Sequence, residues 1–368
     1  MTRTAPSHRA VLLTGFPSFL ARALARQLVR DGLQGQLWLL SAPKLTAAAR
    51  KVVATLPRSR GLSVHLLTGD VLDLHLGLTG PVFRKLAAQV TEVFHLAEVS
   101  HPSAPAALLR RVNVEGTRNL LDVAQELTSL IRLHHLSTAF VSGDRDGVVA
   151  EDELEAGQKT IEPYAASKLE AERLIAAARG QFSINCYRPS YVVGDSTTGE
   201  TDRLEGPLYL ALRLAASALP ALPIPGGAEQ PLHVVPVDHV ARAIAALSRQ
   251  PQAAGGTFHL VDPNPLSVRR TYEVLAALAH KRLEALPVPR GMAEVVLRLW
   301  RPQQRWQGHA GQLVFYTQER TAALLGPALR CPPLRDYLPV LLKTTRAMLD
   351  LRREASAIDA LDGDVRMT

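Results

Sequence analysis

The ten residues "LLTGFPSFLA" at positions 12–21 begin as an apolar strand and end as the first turn of a helix. Gly15 lies between the two, and a strand–turn–helix unit of this kind is typical of turns that hold phosphate groups at a helix N-terminus. A turn that binds a dinucleotide usually carries glycine at three positions. Here Gly15 fills one of them, whereas Ser18 and Ala21 stand at the other two. The turn by itself leaves open whether a cofactor binds.

Short apolar segments alternate with helical patterns from residue 10 to about residue 190. The segments that are typical of strands are "AVLLTG", "QLWLLS", "LSVHLLTGD", "EVFHLAE", "IRLHHLSTAF" and "FSINCYRPS". Near-continuous apolar strands separated by helices predict a parallel sheet covered on both faces. The predicted fold class is therefore α/β, a doubly wound parallel sheet of the Rossmann type, with ligands at the carboxyl ends of its strands.

The alternation ends after about residue 195. The polar loop "GDSTTGETDRLEGP" precedes an apolar helix, and "PLHVVPVDHVARAIAAL" predicts a short strand followed by a helix capped by Asp238. The segment "GTFHLVDP" predicts a strand that returns to the sheet. Residues 267–350 are mostly helical in pattern and are interrupted by prolines.

These patterns predict two parts and a tail. The nucleotide-binding domain is expected over residues 8–195 plus about 230–265. A smaller, mostly helical substrate-binding part is expected over 196–230 and 266–355, and a flexible tail over 356–368.

The formal net charge of +8 raises the question of nucleic-acid binding. The basic residues are scattered rather than clustered, and aromatic residues make up 5% of the chain. Nucleic-acid-binding proteins usually show a basic patch with stacking aromatics, so we expect no nucleic-acid partner. The positive charge can still attract an anionic substrate.

The two cysteines, Cys186 and Cys331, are far apart, which excludes a disulfide framework and a zinc-ribbon spacing. The histidines His95, His101 and the pair at 134–135 share no face with carboxylates, so no metal site is expected. No segment has the roughly 18 apolar residues that a membrane span needs, and the N-terminal run is broken by glycine and proline. We therefore expect a soluble, cytoplasmic protein.

Tyr164 and Lys168, in "YAASK", are four residues apart and share one face of a helix. Such a pair can hold a phenol over a substrate carbonyl, and the ammonium group would lower the phenol pKa toward neutral pH. About 25 residues upstream, "HLSTAFVSG" brings Ser137 and Thr138 to the carboxyl end of a predicted strand. A hydroxyl there can donate to the same carbonyl oxygen. The spacing alone is a weak signal, but the two elements together predict an active site.

A strand-end hydroxyl followed by tyrosine and lysine resembles the short-chain dehydrogenase/reductase superfamily, in particular its extended, epimerase-like branch. Four further segments resemble motifs of that branch in the same order: "GDV" at 69–71, "FHLAE" at 94–98, "NVEGT" at 113–117 and "YRPSYVVGD" at 187–195. The resemblance covers about residues 8–265. It rests on the series of motifs rather than on one of them.

The residues of these motifs are most similar to those of the reductase domains of fatty acyl-CoA and thioester reductases, the male-sterility-type family. Sugar epimerases more often have asparagine where Tyr191 stands. The resemblance thus implies a lipid-like or acyl substrate rather than a nucleotide sugar.

Carried over to this chain, the resemblance implies that Tyr164 donates a proton to the carbonyl, that Thr138 is the catalytic hydroxyl, and that Lys168 binds the nicotinamide ribose and tunes Tyr164. Asn113 either supports a proton relay or has a structural role, and the structural role is favoured. The cofactor-binding residues implied are Thr14, Gly15, Pro17, Ser18, Phe19, Leu20, Ser41, Lys44, Asp70, Val71, Leu96, Ala97, Asn113, Lys168, Pro189 and Ser190.

The chain departs from the family pattern at three places. Ser18 fits the pyrophosphate turn if its φ is negative, and its hydroxyl then either hinders or assists phosphate binding. After the second strand, Ser41 and Lys44 replace the carboxylate that would bind the NAD ribose, so NADP(H) is favoured and NAD(H) stays open. Glu98 stands where a small residue is usual, and the sequence does not explain it.

The sequence therefore predicts an NAD(P)H-dependent reductase that acts on the carbonyl of an acyl thioester, a fatty aldehyde or a hydrophobic ketone. An NAD-dependent sugar-nucleotide epimerase or dehydratase and a non-catalytic dinucleotide-binding module are the alternatives. Residues 293–306 either contact a membrane surface, cover an acyl tunnel or simply pack on the sheet, which is favoured. The family also implies a homodimer through the helix that carries Tyr164.

Overall fold

The structure is a computed structural model that describes residues 9–101, 103–160, 162–224, 228–285 and 312–365. Its strands within these ranges are β1 (Arg9–Thr14), β2 (Gly35–Ser41), β3 (Leu62–Thr68), β4 (Glu92–His95), β5 (Arg132–Leu136), β6 (Gly147–Val149), β7 (Ile184–Pro189), β8 (Tyr191–Val193), β9 (Ala221–Ile224), β10 (Val234–Pro236), β11 (Thr257–Leu260), β12 (Arg282–Ala285) and β13 (Val314–Tyr316).

The helices alternate with these strands. They are α1 (Phe19–Arg30), α2 (Thr46–Ala54), α3 (Gly80–Gln89), α4 (Ala106–Leu109), α5 (Gly116–Glu126), α6 (Pro163–Ala178), α7 (Pro207–Ala216), α8 (Val237–Ser248) and α9 (Val268–Ala279), followed by Glu319–Leu325 and the C-terminal helix Leu334–Val365.

Seven strands form one parallel sheet in the order β11-β7-β5-β4-β1-β2-β3. The order reverses at β1, which pairs with β2 on one side and β4 on the other. Ligands of doubly wound sheets bind in the crevice outside the strand ends at such a reversal. The predicted fold class and the predicted return of "GTFHLVDP" to the sheet as β11 are confirmed.

Helices cover both faces of the sheet, as the apolar strands predicted. On one face, Leu24 of α1 and Ile244 of α8 are buried in a common core with the sheet. On the other face, Leu120 of α5 and Ile175 of α6 are buried. Because each fully buried aliphatic side chain contributes about 1.5–3 kcal/mol, these layers fix the strand ends in space.

The remaining part packs as a separate apolar cluster of α7, α9 and the C-terminal helix. Short parallel strand pairs, β8 with β10, β9 with β12 and β6 with β13, accompany it. The strand β10 and the helix α8 that follows it confirm the strand and helix predicted in "PLHVVPVDHVARAIAAL". The strands β6, β9, β12 and β13 have three or four residues each, too few to show a periodicity in the sequence.

The C-terminal helix is longer than the sequence predicted. The tail expected from residue 356 does not begin at a helix end, because this helix continues to Val365; helix propagation is cooperative once a long, packed helix exists. The segment 293–306 lies outside the described residues. Among the described helices, none is long and apolar enough to cross a bilayer.

Candidate active site

The turn after β1 has the close packing that a dinucleotide-binding turn requires. Gly15 has a φ of +80°, and a Cβ atom there would lie 2.5 Å from the carbonyl oxygen of Leu96 and 2.7 Å from the amide nitrogen of Ala97. A side chain is therefore excluded by strain and by contact. The first glycine of the predicted turn is thus required by the geometry.

Ser18 ends this turn and precedes α1. Its φ is −56°, so it satisfies the condition under which serine fits at the second glycine position. The exposed Ser18 hydroxyl makes no capping bond to the first turn of α1, and that turn contains no acidic residue. The amide groups and the positive dipole end of α1 therefore fit the pyrophosphate of a dinucleotide.

The ends of β2 and β3 lie beside this turn. Ser41 is buried, and its hydroxyl donates to the carbonyl of Ala42 at 3.3 Å, whereas Lys44 is exposed. Asp70 accepts a hydrogen bond from the amide of Leu72 at 3.0 Å and is half-buried. The edge thus offers an exposed ammonium group and a carboxylate.

Three ionisable side chains meet where β4 and α6 approach each other. The Tyr164 hydroxyl donates to the Glu98 carboxylate, with oxygen–oxygen distances of 3.2 and 3.4 Å. The Lys168 ammonium group lies 2.9 Å from Glu98 Oε2 and donates to the carbonyl of Leu136 at 2.5 Å. The helical spacing of Tyr164 and Lys168 on one face is as predicted, and Glu98 bridges them.

This bridge overturns the expectation that Lys168 lowers the pKa of Tyr164. Burial, followed by the charge and the hydrogen bond of Glu98, raises the Tyr164 pKa well above its ordinary value. The Glu98 carboxylate offsets the lysine charge and accepts the phenol proton, both of which favour the neutral phenol. The sequence contains this acid at position 98, but no local pattern places its side chain against Tyr164.

The structure separates the two strand-end hydroxyls. Ser137 donates to Glu172, deep in the fold, so its hydroxyl is used in a buried network. Thr138 donates to the carbonyl of Pro189 at 3.3 Å and accepts from the amide of Phe140. Thr138 therefore lies at the end of β7, next to the segment that the motifs assigned to the nicotinamide.

Asn113 holds the strand-end segment after β4 against α6. Its side-chain amide bonds both the amide (2.8 Å) and the carbonyl (3.0 Å) of Val99, and it also donates to Ser167 at 2.9 Å. It lies in the π-helical turn Arg110–Glu115, and such turns often occur at functional sites. These bonds agree with a structural role for Asn113.

Pro189 and Ser190 close the site at the end of β7. The Ser190 amide donates to the carbonyl of Leu260 at 3.3 Å. The Ser190 hydroxyl is buried without a hydrogen-bond partner among the described residues. A buried hydroxyl without a partner is costly in a folded chain, so this position fits a ligand with a polar group.

His95, at the end of β4, is locked in its neutral form. Its Nε2 donates to the Thr117 hydroxyl at 3.1 Å, because the Thr117 proton goes to the Asn113 carbonyl. The Nδ1 of the neutral ring then accepts from Thr14 at 2.9 Å, and the Thr14 oxygen also accepts from the amide of Ala97. Burial lowers the His95 pKa to about 3. The histidine thus orders the strand ends, and the Thr14 side chain is not free for a cofactor.

The loop after β8 is tied to the nucleotide-binding part. Arg22 of α1 pairs with Asp202 at 2.6 Å. Asp238 accepts from the amide and the hydroxyl of Ser196, both at 2.8 Å. The prediction that Asp238 caps α8 is wrong, because α8 begins at Val237 and the Asp238 carboxylate reaches to the loop instead.

Residues 13–244, more than half of the chain, match the family described as male sterility protein, an NAD-binding family. Among curated proteins, the chain is 28% identical over 296 residues (74% of its length) to glycine betaine reductase ATRR of Emericella nidulans. It is 30% identical over 236 residues (60%) to aldehyde reductase lnbA of Aspergillus flavus. It spans 22% of the length of each of these relatives.

Among solved structures, the terminal R domain of the myxalamid PKS-NRPS pathway superimposes with a TM-score of 0.79 at 24% identity. The match covers 93% of this chain and 91% of that one, and at this identity it establishes the fold. The family match identifies the chain as a member of the male sterility protein family, an NAD-binding family with the fold of the extended short-chain dehydrogenase/reductases.

Proposed function

We propose that the protein is an NADP(H)-dependent reductase that converts the carbonyl of an acyl thioester, a fatty aldehyde or a hydrophobic ketone. The observation that carries this proposal is the half-buried Tyr164 phenol, which keeps its proton and lies in one hydrogen-bonded cluster with Lys168 at the edge where β4 and β5 end. A neutral phenol beside a cation is the arrangement that protonates a carbonyl oxygen during reduction.

The dinucleotide would be held by the Gly15 turn, Asp70, Lys168 and the Pro189–Ser190 segment. When bound, it supplies the hydride. The Tyr164 and Thr138 protons go to Glu98 and to the Pro189 carbonyl in this structure and would turn to the substrate oxygen when it binds. Tyr164 would then transfer its proton as the carbonyl carbon is reduced to the alcohol. The tyrosinate then regains a proton from water.

A thioester passes through the same first addition. The tetrahedral thiohemiacetal then releases the thiol and leaves an aldehyde. Lys168 stabilises the negative charge that passes through the Tyr164 oxygen, because its ammonium group is held in place by the Leu136 carbonyl.

Two observations support the choice of cofactor and substrate. Lys44 is exposed and forms no ion pair among the described residues, and no carboxylate follows β2, so a 2′-phosphate would meet a cation and no repulsion. The half-buried ring of Tyr191, which packs on the buried ring of Phe140 with centroids 4.5 Å apart, would give the substrate an aromatic neighbour. The names of the curated relatives, an aldehyde reductase and a glycine betaine reductase, agree with carbonyl reduction.

The test is NADPH oxidation by the purified chain across acyl-CoA, aldehyde and ketone panels. We expect Tyr164→Phe to lower kcat/KM roughly 10²–10⁴-fold, because the phenyl ring keeps the packing but has no proton to give. Glu170→Gln, at a partly exposed position of the same helix, is the control and should keep full activity.

Two outcomes would contradict the proposal. One is the absence of any Tyr164-dependent oxidation of NADPH in the three panels. The other is purification of the chain with tightly held NAD that is reduced and reoxidised within one turnover, which would favour an epimerase or dehydratase.

A further inference from the structure

We propose that Glu98 is a positioning residue that keeps the proton on Tyr164 and so extends carbonyl reduction to higher pH. The inference rests on the function proposed above. It concerns a residue that the family pattern does not predict, since a small side chain usually stands at this position.

The first argument is the geometry of the carboxylate. Glu98 accepts the phenol proton through both of its oxygens, at 3.2 and 3.4 Å from the Tyr164 oxygen. The same carboxylate lies 2.9 Å from the Lys168 ammonium group. Glu98 therefore contacts both groups and offsets part of the effect of the lysine charge on the phenol.

The second argument is that Glu98 is held in this position. Asn113 bonds both backbone groups of the next residue, Val99, and donates to Ser167. The Ser167 hydroxyl in turn donates to the Tyr164 carbonyl at 2.7 Å. This ring of bonds joins the backbone at Glu98 to the helix that carries Tyr164, so the carboxylate is preorganised against the phenol.

The third argument is the charge around the pair. The groups that act on Tyr164 are Glu98, Tyr191 and Glu162, and each of them raises its pKa. On the other side of Lys168 lie His95 and His135, which burial and the lysine charge keep neutral by lowering their pKa. No histidine cation among the described residues around this pair therefore offsets the Glu98 carboxylate at neutral pH.

These contacts act on the acid that reduction uses. In reduction, the carbonyl oxygen takes the Tyr164 proton, so the site needs a neutral phenol before the reaction begins. Because a tyrosinate would lie beside the Glu98 carboxylate, the charged form is disfavoured and the neutral phenol persists to higher pH.

The experiment compares the unchanged full-length chain with Glu98→Gln, which keeps the shape and hydrogen-bonding capacity but removes the charge. The chain has seven tyrosines, so Tyr164 is titrated as the absorbance difference between each protein and its Tyr164→Phe counterpart. We expect Tyr164 to ionise at lower pH in E98Q. The alkaline decline of kcat/KM for carbonyl reduction, where the site loses the Tyr164 proton, should move to lower pH by roughly one pH unit, the effect of removing one close like charge.

Glu170→Gln removes a partly exposed carboxylate that pairs with Arg110 on the same helix, and it should change neither reading. If E98Q does not unfold cooperatively like the unchanged chain, Glu98→Ala takes its place, since a small residue is usual there. Ionisation of Tyr164 at the same pH in E98Q and the unchanged chain, or an alkaline decline of kcat/KM at the same pH in both, would overturn the inference.

The absorbance titration and the kinetic measurement together separate this inference from the proposed function. The absorbance titration needs neither substrate nor dinucleotide, so it decides the role of Glu98 even if no substrate in the panels is turned over. Conversely, suppose that the enzyme reduces carbonyls through Tyr164 while Tyr164 ionises at the same pH in E98Q and the unchanged chain. That result would support the proposed function and reject the role of Glu98.

Discussion

One side of helix α6 serves two different charge clusters. Tyr164, Lys168 and Glu172 follow each other at intervals of four residues, and therefore lie along the same side of the helix. The first two meet Glu98 at the edge of the sheet. Glu172 meets Arg188 of β7, with a closest approach of 2.6 Å.

The two ion pairs differ in how completely they are satisfied. In the Arg188–Glu172 pair both side chains are 2–3% exposed, and Arg188 also donates to the carbonyl of Glu153 at 2.8 Å while Ser137 donates to Glu172. Glu98 is 17% exposed and borders a phenol that can give up its proton. A buried charge with every bond made supports structure, whereas one that is partly open and shares a proton can support chemistry.

The largest expected effect separates the two clusters by stability. Arg188→Met should lower the free energy of unfolding by about 3–5 kcal/mol, because Glu172 is left buried without its partner. Lys168→Met should lower the free energy of unfolding by less than half as much, because Glu98 reaches solvent. The same substitution should abolish carbonyl reduction. Urea unfolding and NADPH oxidation of both variants measure the contrast. Equal losses of stability would show that the two pairs are of the same kind.

Acid should destabilise the fold around the Arg188–Glu172 pair through the neighbouring His259. This histidine lies 3.5 Å from Arg188 and bonds the carbonyl of Thr317, and burial followed by the arginine charge lowers its pKa to about 3. The unfolded chain then binds the extra proton between about pH 6.5 and pH 3, so the stability is present above this window and is lost as the pH falls through it.

We expect the titration of His259 alone to lower the free energy of unfolding by about 2 kcal/mol at pH 5 relative to pH 8. Urea unfolding at the two pH values measures the loss. His259→Gln should remove this part of the pH dependence, and an unchanged dependence in that variant would contradict the assignment.

The smallest effect on stability distinguishes the neighbouring hydroxyls of Ser137 and Thr138. Ser137→Ala should lower the free energy of unfolding by about 1–2 kcal/mol through the lost bond to Glu172, with kcat/KM unchanged. Thr138→Ala should lower kcat/KM roughly a hundredfold with a smaller change in stability. If Ser137→Ala is the variant that loses activity, the assignment of the two hydroxyls is reversed.

Much of the fold and part of the site could be predicted because they depend on local patterns. The apolar strands and their spacing predicted the parallel sheet, and the positions of Gly15 and Tyr164 placed the turn and the helix at the correct strand ends. The short strands β6, β9, β12 and β13 could not be predicted, because their pairing partners lie far away in sequence.

Local patterns in the amino-acid sequence account for which elements form, which strand ends meet at the site and why Lys168 shares a helix face with Tyr164. These features follow from hydrophobic periodicity and helical spacing, which are properties of neighbouring residues. The pairing of the charges, in contrast, depends on the tertiary fold. Glu98 comes from the segment after β4, and its distance to the phenol and the ammonium group depends on how that segment packs against α6. Because electrostatic interactions depend on distance and burial, the direction of the Tyr164 pKa shift is a property of the folded chain.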